Sequence, residues 1–295
     1  MATYLATEKL HFKIGGNMKI GVRGSKLALA YADKVVALLP QAWPEIKITE
    51  IKTQGDIKAD QPIHEMGGKG VFVSAIEKQL INKKIDLAIH SFKDLPAQMD
   101  ERLEIVAVLE RQDPRDCYIG VLFPNAKVGT GSPRRIAELT ENFNVPFNVR
   151  PIRGNIDTRL RKLDEGMYDA IILAVAGLEA LGLENRITKR FPLDKMLPCV
   201  GQGVIAIQMR KDHPDLRSLQ KILNHWNTYY SVMSERKMLQ VIDGDCHTAV
   251  GAISSIVGDC LMLKSINYTN NKQYEATGKL MDYIQIGEEV GNNIK

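Results

Sequence analysis

Short apolar runs alternate with amphipathic stretches through residues 18–110, and the alternation predicts strand and helix in turn. Residues 19–22, 46–53, 86–90 and 103–109 read as strands, and 25–39 and 71–81 as helices. Crossover units of this kind build a mainly parallel sheet covered by helices. Residues 111–116 are polar, contain Pro114 and read as a hinge. A second α/β unit follows, with strands at 127–129, 148–151 and 169–175 and helices at 133–141, 156–165 and 178–183. Another break at 197–203 leads into 204–208, a strand that can return to the first sheet. A long helix is expected from after Asn224 to about Gln240, then two or three strands, then a final helix near 282–293. The length of 295 residues exceeds one typical core, so two or three domains are expected.

The turns between these elements carry the first chemistry. Three times an apolar strand runs into an arginine-bearing turn and then a helix: Arg23-Gly24-Ser25, Gly129-Thr130-Gly131-Ser132-Pro133-Arg134-Arg135, and Arg153-Gly154-Asn155. Such a turn gathers unpaired backbone N–H groups, the positive end of a helix dipole and a guanidinium at one spot. Ser25, Ser132 and Asn155 suit the N-cap and Pro133 the first helical position. Arg159 follows Asn155 by four residues and can reach the same ligand. Well-capped helices with solvated arginines are the plainer reading of any one turn. Three on the carboxyl edges of strands, where open α/β sheets bind ligands, point instead to an interdomain cleft for several carboxylates or phosphates.

Composition narrows the ligand. Lys and Arg number 39 against 35 Asp and Glu, a balance of +4 with no basic block interleaved with aromatics, which argues against a nucleic-acid partner. The longest apolar runs, such as 170–176, are far short of a membrane span, so no membrane partner is expected. Residues 1–17 carry Glu8 and no continuous apolar run, and read as an N-terminal extension rather than a signal peptide. Cys117, Cys199, Cys246 and Cys260 form no CxxC pair, which suits reduced thiols in the cytoplasm.

His90-Ser91-Phe92-Lys93-Asp94-Leu95-Pro96 ends a predicted strand and so falls on the same edge. Lys93 adds an anchor, and Asp94 among so many cations suits a carboxylate that stabilises a cationic intermediate; a local turn pairing is the alternative. Cys246, in Asp243-Gly244-Asp245-Cys246-His247, is either incidental or a nucleophile. A metal at Cys246-His247 lacks further ligands, so none is expected. Residues 58–70, with Gly67-Gly68-Lys69-Gly70, can form a lid over the cleft.

Taken together, RGSKLALA, GGKGVF, DLAIHSFKDLP, RQDPRD, GTGSPRR, RGNIDTRLRKLD, DAIILAVAGL, LPCVGQG and the GDC loop resemble the porphobilinogen deaminase (hydroxymethylbilane synthase) family in this order. The resemblance runs from about Lys19 to Gly251. It implies three α/β domains, the first two like periplasmic binding proteins and the third small: 18–112 plus 203–221, 115–198, and 225–295. It implies a monomeric cytoplasmic transferase that condenses four porphobilinogen units head to tail with loss of ammonia. It further implies a covalent dipyrromethane cofactor on Cys246, and Asp94 as the catalytic aspartate. Cofactor and substrate contacts match Arg23, Ser25, Lys93, Thr130, Ser132, Arg134, Arg135, Arg153, Gly154, Asn155 and Arg159. Several positions depart from the family pattern, among them Gly131 and Pro133, which replace the more usual Ser and Leu and keep the turn chemistry. Gly244-Asp245 stands where members commonly have two glycines, and Ala180 where they commonly have arginine. A reading of another class is a two-lobed polyanion-binding protein without catalysis.

Overall fold

The computed structural model describes residues 17–39, 43, 45–53, 55, 73–245 and 248–295. Strands β1 (Met18–Arg23), β2 (Ile46–Ile51), β3 (Leu87–Ser91) and β4 (Leu103–Val108) all run in one direction. Helices α1 (Lys26–Leu38) and α2 (Ser74–Ile81) fall between them in sequence. Residues 109–115 then cross to a second sheet built from β5 (Asp116–Gly120), β6 (Lys127–Gly129), β7 (Asn148–Arg150), β8 (Ala170–Ala174) and β9 (Lys189–Arg190), in the order β7-β6-β8-β5-β9. Its helices are α3 (Pro133–Glu141), α4 (Ile156–Asp164) and α5 (Val175–Glu179). The chain returns, and β10 (Ile205–Arg210) inserts between β3 and β4 to complete the order β2-β1-β3-β10-β4.

One strand in each sheet runs against the rest: β10 in the first and β5 in the second. Both follow a crossing between the sheets. A chain that leaves one sheet at the carboxyl edge of its parallel strands enters the next at the corresponding edge, and the strand that follows must run back. Asp116 and Gln202, at or just before the start of these reversed strands, therefore lie where the arginine turns lie.

Helices α6 (Leu216–Leu223) and α7 (Trp226–Val241) lead to an antiparallel sheet of β11 (Val250–Val257), β12 (Cys260–Asn267) and β13 (Lys272–Lys279), packed by the final helix α8 (Tyr283–Ile294). Each sheet has its own core. In the first, Ile20, Val22, Leu87, Ile89 and Ile207 meet Ala32 and Val35 of α1. In the third, Ala252, Leu261 and Leu263 meet Met238, Val290 and Ile294.

Most predicted elements are present, with ends moved by a residue or two. The exceptions have identifiable causes. Residues 111–116 were expected to be hinge throughout, yet Asp116 opens β5, because its polar side chain is satisfied by buried partners rather than by water. The short helix expected at 178–183 is α5, starting directly after β8 and ending before Gly182, which takes a left-handed φ of 65°. Helix α6 was not expected, although Leu216, Leu219 and Leu223 give it a buried stripe at helical spacing. The proposed lid at 58–70 and residues 1–16 lie outside the described residues.

Both crossings are fastened to the third domain at one carboxylate. Glu235 of α7 accepts from Arg111 Nη1 at 2.6 Å, from the Gly201 backbone N–H at 2.8 Å and from Ser254 Oγ at 2.6 Å. Gly201 has a φ of 68°, and a Cβ there would sit 2.1 Å from the Phe92 ring. The second crossing thus passes too close to the Lys93–Asp94 turn for any side chain at that position.

Candidate active site

The arginine turns and the turn after β3 open onto one cleft of about 2100 Å3. Arg23, Ser25, Lys93 and Asp94 line it from the first sheet. Ser132, Arg134, Arg135, Arg153, Gly154, Asn155 and Arg159 line it from the second. Local sequence explains the turns. Ser25 Oγ accepts from the Ala28 N–H at 3.2 Å and caps α1, while Ser132 sits at the N-cap of α3 with Pro133 at the first helical position. Asn155 occupies the N-cap of α4 but makes no side-chain capping bond, contrary to expectation; its side chain is exposed. Thr130 is buried beneath the turn, where its Oγ1 accepts from the Ser132 N–H at 3.2 Å. Gly154 takes a φ of 108° and presents its carbonyl to Arg159 Nε at 2.8 Å.

The two adjacent arginines of α3 are held by the protein itself. Arg134, 2 % exposed, donates to Asp116 Oδ2 and Glu138 Oε2, both at 2.6 Å, and to the Leu197 carbonyl. Arg135 donates to Asp116 Oδ1 at 2.7 Å and to the Ile172 carbonyl at 2.9 Å. Burial works against ionisation of Asp116, yet the two guanidiniums together hold its carboxyl well below the usual carboxylate range. Gln202 Nε2 also donates to Asp116, at 2.8 Å, and its Oε1 accepts from Lys93 Nζ at 3.3 Å. Glu138 in turn accepts from Tyr268 Oη of the third domain at 2.9 Å. One buried network therefore joins the Lys93–Asp94 turn, both crossings and all three domains. Gln202 stood out only as part of the LPCVGQG break and Tyr268 not at all, since neither lies in an arginine turn.

Around Lys93 and Arg159 positive charge is crowded. Burial, then Arg135 and Arg153, push Arg159 down to about 10. Burial, then Arg135, lowers Lys93 from its ordinary range. Cations held at mutual cost in one place are a site prepared for anions. Asp94 lies among them, and no donor among the described residues hydrogen-bonds its carboxylate. Tyr31 of α1 also lines this stretch.

Cys246 and His247 lie outside the described residues. Their flanking residues are placed: the Asp245 N–H donates to Thr248 Oγ1 at 2.8 Å, and both residues line a small cavity together with Lys93 and Cys199. Among the described residues no group of three His, Cys, Asp or Glu could hold a metal, and no helix is long and apolar enough to cross a membrane.

Behind the cleft, His90 Nε2 and Gln208 Oε1 are 3.1 Å apart, and burial pushes the imidazole down to about 4. An unfolded histidine titrates near 6.5, so the stability gained by keeping His90 neutral is present above about pH 6.5 and lost as pH falls toward 4. Between pH 7 and pH 5 this amounts to roughly 2 kcal/mol, read as a falling urea midpoint. His90→Gln should flatten that part of the profile; an equally steep profile in the variant would assign the loss elsewhere.

Fold and site define a two-lobed α/β protein with an arginine-lined cleft between its first two sheets. Residues 18–218 match the family model described as porphobilinogen deaminase, dipyromethane cofactor binding domain. The chain is 41 % identical over 285 residues to the porphobilinogen deaminase of Acidithiobacillus ferrooxidans (strain ATCC 53993 / BNL-5-31), covering 93 % of each chain. It is 38 % identical over 290 residues to that of Syntrophus aciditrophicus (strain SB), covering 94 % of each. The chain belongs to the porphobilinogen deaminase family. It is also similar to the crystal structure of the methionine binding protein MetQ, at a TM-score of 0.44 and 12 % identity, over 74 % of this chain and 93 % of that one.

Proposed function

We infer that the chain is a hydroxymethylbilane synthase, a transferase that joins porphobilinogen units head to tail with loss of ammonia into a linear tetrapyrrole. The observation that carries this reading is the crowding of Arg135 and Arg153 against Lys93 and Arg159, the two cations within electrostatic reach of Asp94, in a cleft of about 2100 Å3. A site for one small metabolite needs roughly 300–1,000 Å3. The larger volume suits a product that lengthens in place and adds two carboxylates with every ring.

The residues fit a dipyrromethane cofactor. Its carboxylates would take Ser132, Arg153, Gly154, Asn155 and Arg159, with Arg23, Ser25 and Lys93 across the cleft. Thr130 shapes the turn from below. The fork of Arg134 is already taken by Asp116 and Glu138, and that of Arg135 by Asp116 and the Ile172 carbonyl, so both support the turn and serve a ligand mainly through their charge. Attachment is at Cys246, whose flanking residues line the cavity beside Lys93. When bound, the dipyrromethane supplies a nucleophilic pyrrole carbon and a carboxylated handle.

The protein's own part falls to Asp94. As the aminomethyl C–N bond of porphobilinogen breaks, the bonding pair leaves with nitrogen as ammonia, and the ring nitrogen takes up positive charge. A carboxylate facing that N–H, free of competing donors among the described residues, stabilises the charge as it forms. After the new carbon–carbon bond forms, the same carboxylate can accept the proton the attacked ring must lose. The domain borders 18–112 plus 203–221, 115–198 and 225–295 belong to this proposal, and the strands of each sheet fall within them. A cytoplasmic monomer is the form in which we expect it to act.

Intact-mass measurement of the denatured protein, made in a host that synthesises porphobilinogen, tests the reading. The expected mass exceeds that of the sequence by two pyrrole units and returns to the sequence mass in Cys246→Ala. The purified protein should consume porphobilinogen and release ammonia. An unmodified chain that binds porphobilinogen without consuming it would establish the noncatalytic alternative.

A further inference from the structure

Tyr31 brings to the cleft a polar group that the turns and Asp94 do not account for. The residue belongs to the buried stripe of α1 with Ala32 and Val35, and its ring packs into the core of the first sheet at 8 % exposure. Its other side lines the cleft near Asp94. The hydroxyl has no hydrogen-bond partner among the described residues. That oxygen is not one of the buried side-chain atoms left without a partner, so it is reached from the open cleft. The position therefore suits a ligand group that arrives in the cleft.

The ionisation state limits what the phenol can do. Burial, with Asp94 adding to it, raises Tyr31 well above the usual phenol range. The hydroxyl keeps its proton at every working pH. It is a neutral donor and acceptor and not a base.

The reacting unit meets a specific difficulty at this place. Its aminomethyl group must remain an ammonium, because ammonia is a good leaving group and amide ion is not. Yet the burial that pushes Lys93 and Arg159 down, with the neighbouring guanidiniums adding to it, acts on any ammonium brought beside them. Neutral or negative acceptors at that point are needed to keep the amine protonated. The groups described there are the carboxylate of Asp94 and the hydroxyl of Tyr31.

We propose that Tyr31 is a second catalytic residue, whose hydroxyl oxygen accepts a hydrogen bond from the ammonium of the bound porphobilinogen and keeps it protonated for departure. This rests on the synthase reading above. The balance is simple: the C–N bond breaks with both electrons going to nitrogen, ammonia leaves with its three hydrogens, the ring carries the charge beside Asp94, and the phenol ends the step unchanged.

The test is Tyr31→Phe, which keeps the ring and removes only the oxygen. One lost hydrogen bond to a charged group should lower kcat by about tenfold at pH 8 and above. KM for porphobilinogen should move little, since the carboxylate anchors are untouched. The distinguishing readout is the kcat profile, which reports groups in the enzyme–substrate complex: its alkaline limb should shift to lower pH. Thermal midpoint and covalent mass should match the parent. A variant with unchanged kcat and an unchanged alkaline limb overturns the proposal, as does a rate loss that follows a lowered midpoint with no change in the profile. A parent that consumes no porphobilinogen at any pH instead sinks the synthase reading, so the two failures are distinguishable.

Discussion

Asp94→Ala is expected to keep its fold and its covalent mass increase while losing turnover by at least about 10³-fold, or about 4 kcal/mol of transition-state stabilisation. The size follows from the surroundings. Lys93 lies beside this carboxylate and Arg159 within electrostatic reach, so removing it leaves a strongly positive site facing a developing cation. In water such a change is screened; in a cleft closed by protein on several sides it is not. The fold should survive because Asp94 makes no hydrogen bond among the described residues on which neighbouring elements depend. Ammonia release in a single-turnover assay measures the loss. An Asp94→Ala protein within tenfold of the parent would remove Asp94 from the mechanism.

Asp116→Asn is expected to act on stability instead, by about 3–5 kcal/mol. The carboxylate is fully buried, with Arg134 at 2.6 Å, Arg135 at 2.7 Å and Gln202 at 2.8 Å. The amide is nearly the same shape but leaves two buried guanidiniums facing a neutral group. Against a typical total of about 5–15 kcal/mol the loss is large. It should appear as a drop in urea midpoint at constant slope. In the parent, the depressed folded-state value of Asp116 means that its contribution is present above about pH 4 and disappears as pH falls below it. A midpoint shift worth less than about 1 kcal/mol would show that the guanidiniums find other partners. Because Gln202 ties Asp116 to Lys93, the surviving folded fraction should also bind substrate less tightly.

The consequences of Asp94 and Asp116 differ because of how each was fixed. Asp94 could be found by reading along the chain: an apolar strand, a short turn, a proline stop, and a carboxylate next to a lysine. The three arginine turns were legible for the same reason. Each is a local unit in which glycine, serine or proline meets its own helix, and the carboxyl edge of a parallel strand is a consequence of strand order. The strands of the first sheet, the return of β10 to it, and β6, β7 and β8 of the second followed from apolar periodicity and the placement of the breaks, whereas β5 and β9 were not expected.

The partners of buried charge were not legible. Asp116 looked like the end of a polar hinge, because nothing within a few residues announces Arg134, Arg135 and Gln202. Nothing along the chain marks Tyr31, since the helical stripe of α1 records burial and not which edge of a ring meets a cleft. The sequence by itself determined the elements and the turns that present arginine, serine and Asp94, because capping, φ preference and period are settled over a few residues. Only the tertiary structure decided that Arg134 and Arg135 are spent on Asp116 while Lys93 and Arg159 are left within electrostatic reach of Asp94. Desolvation and long-range charge depend on neighbours brought together from three domains, and no local spacing records them.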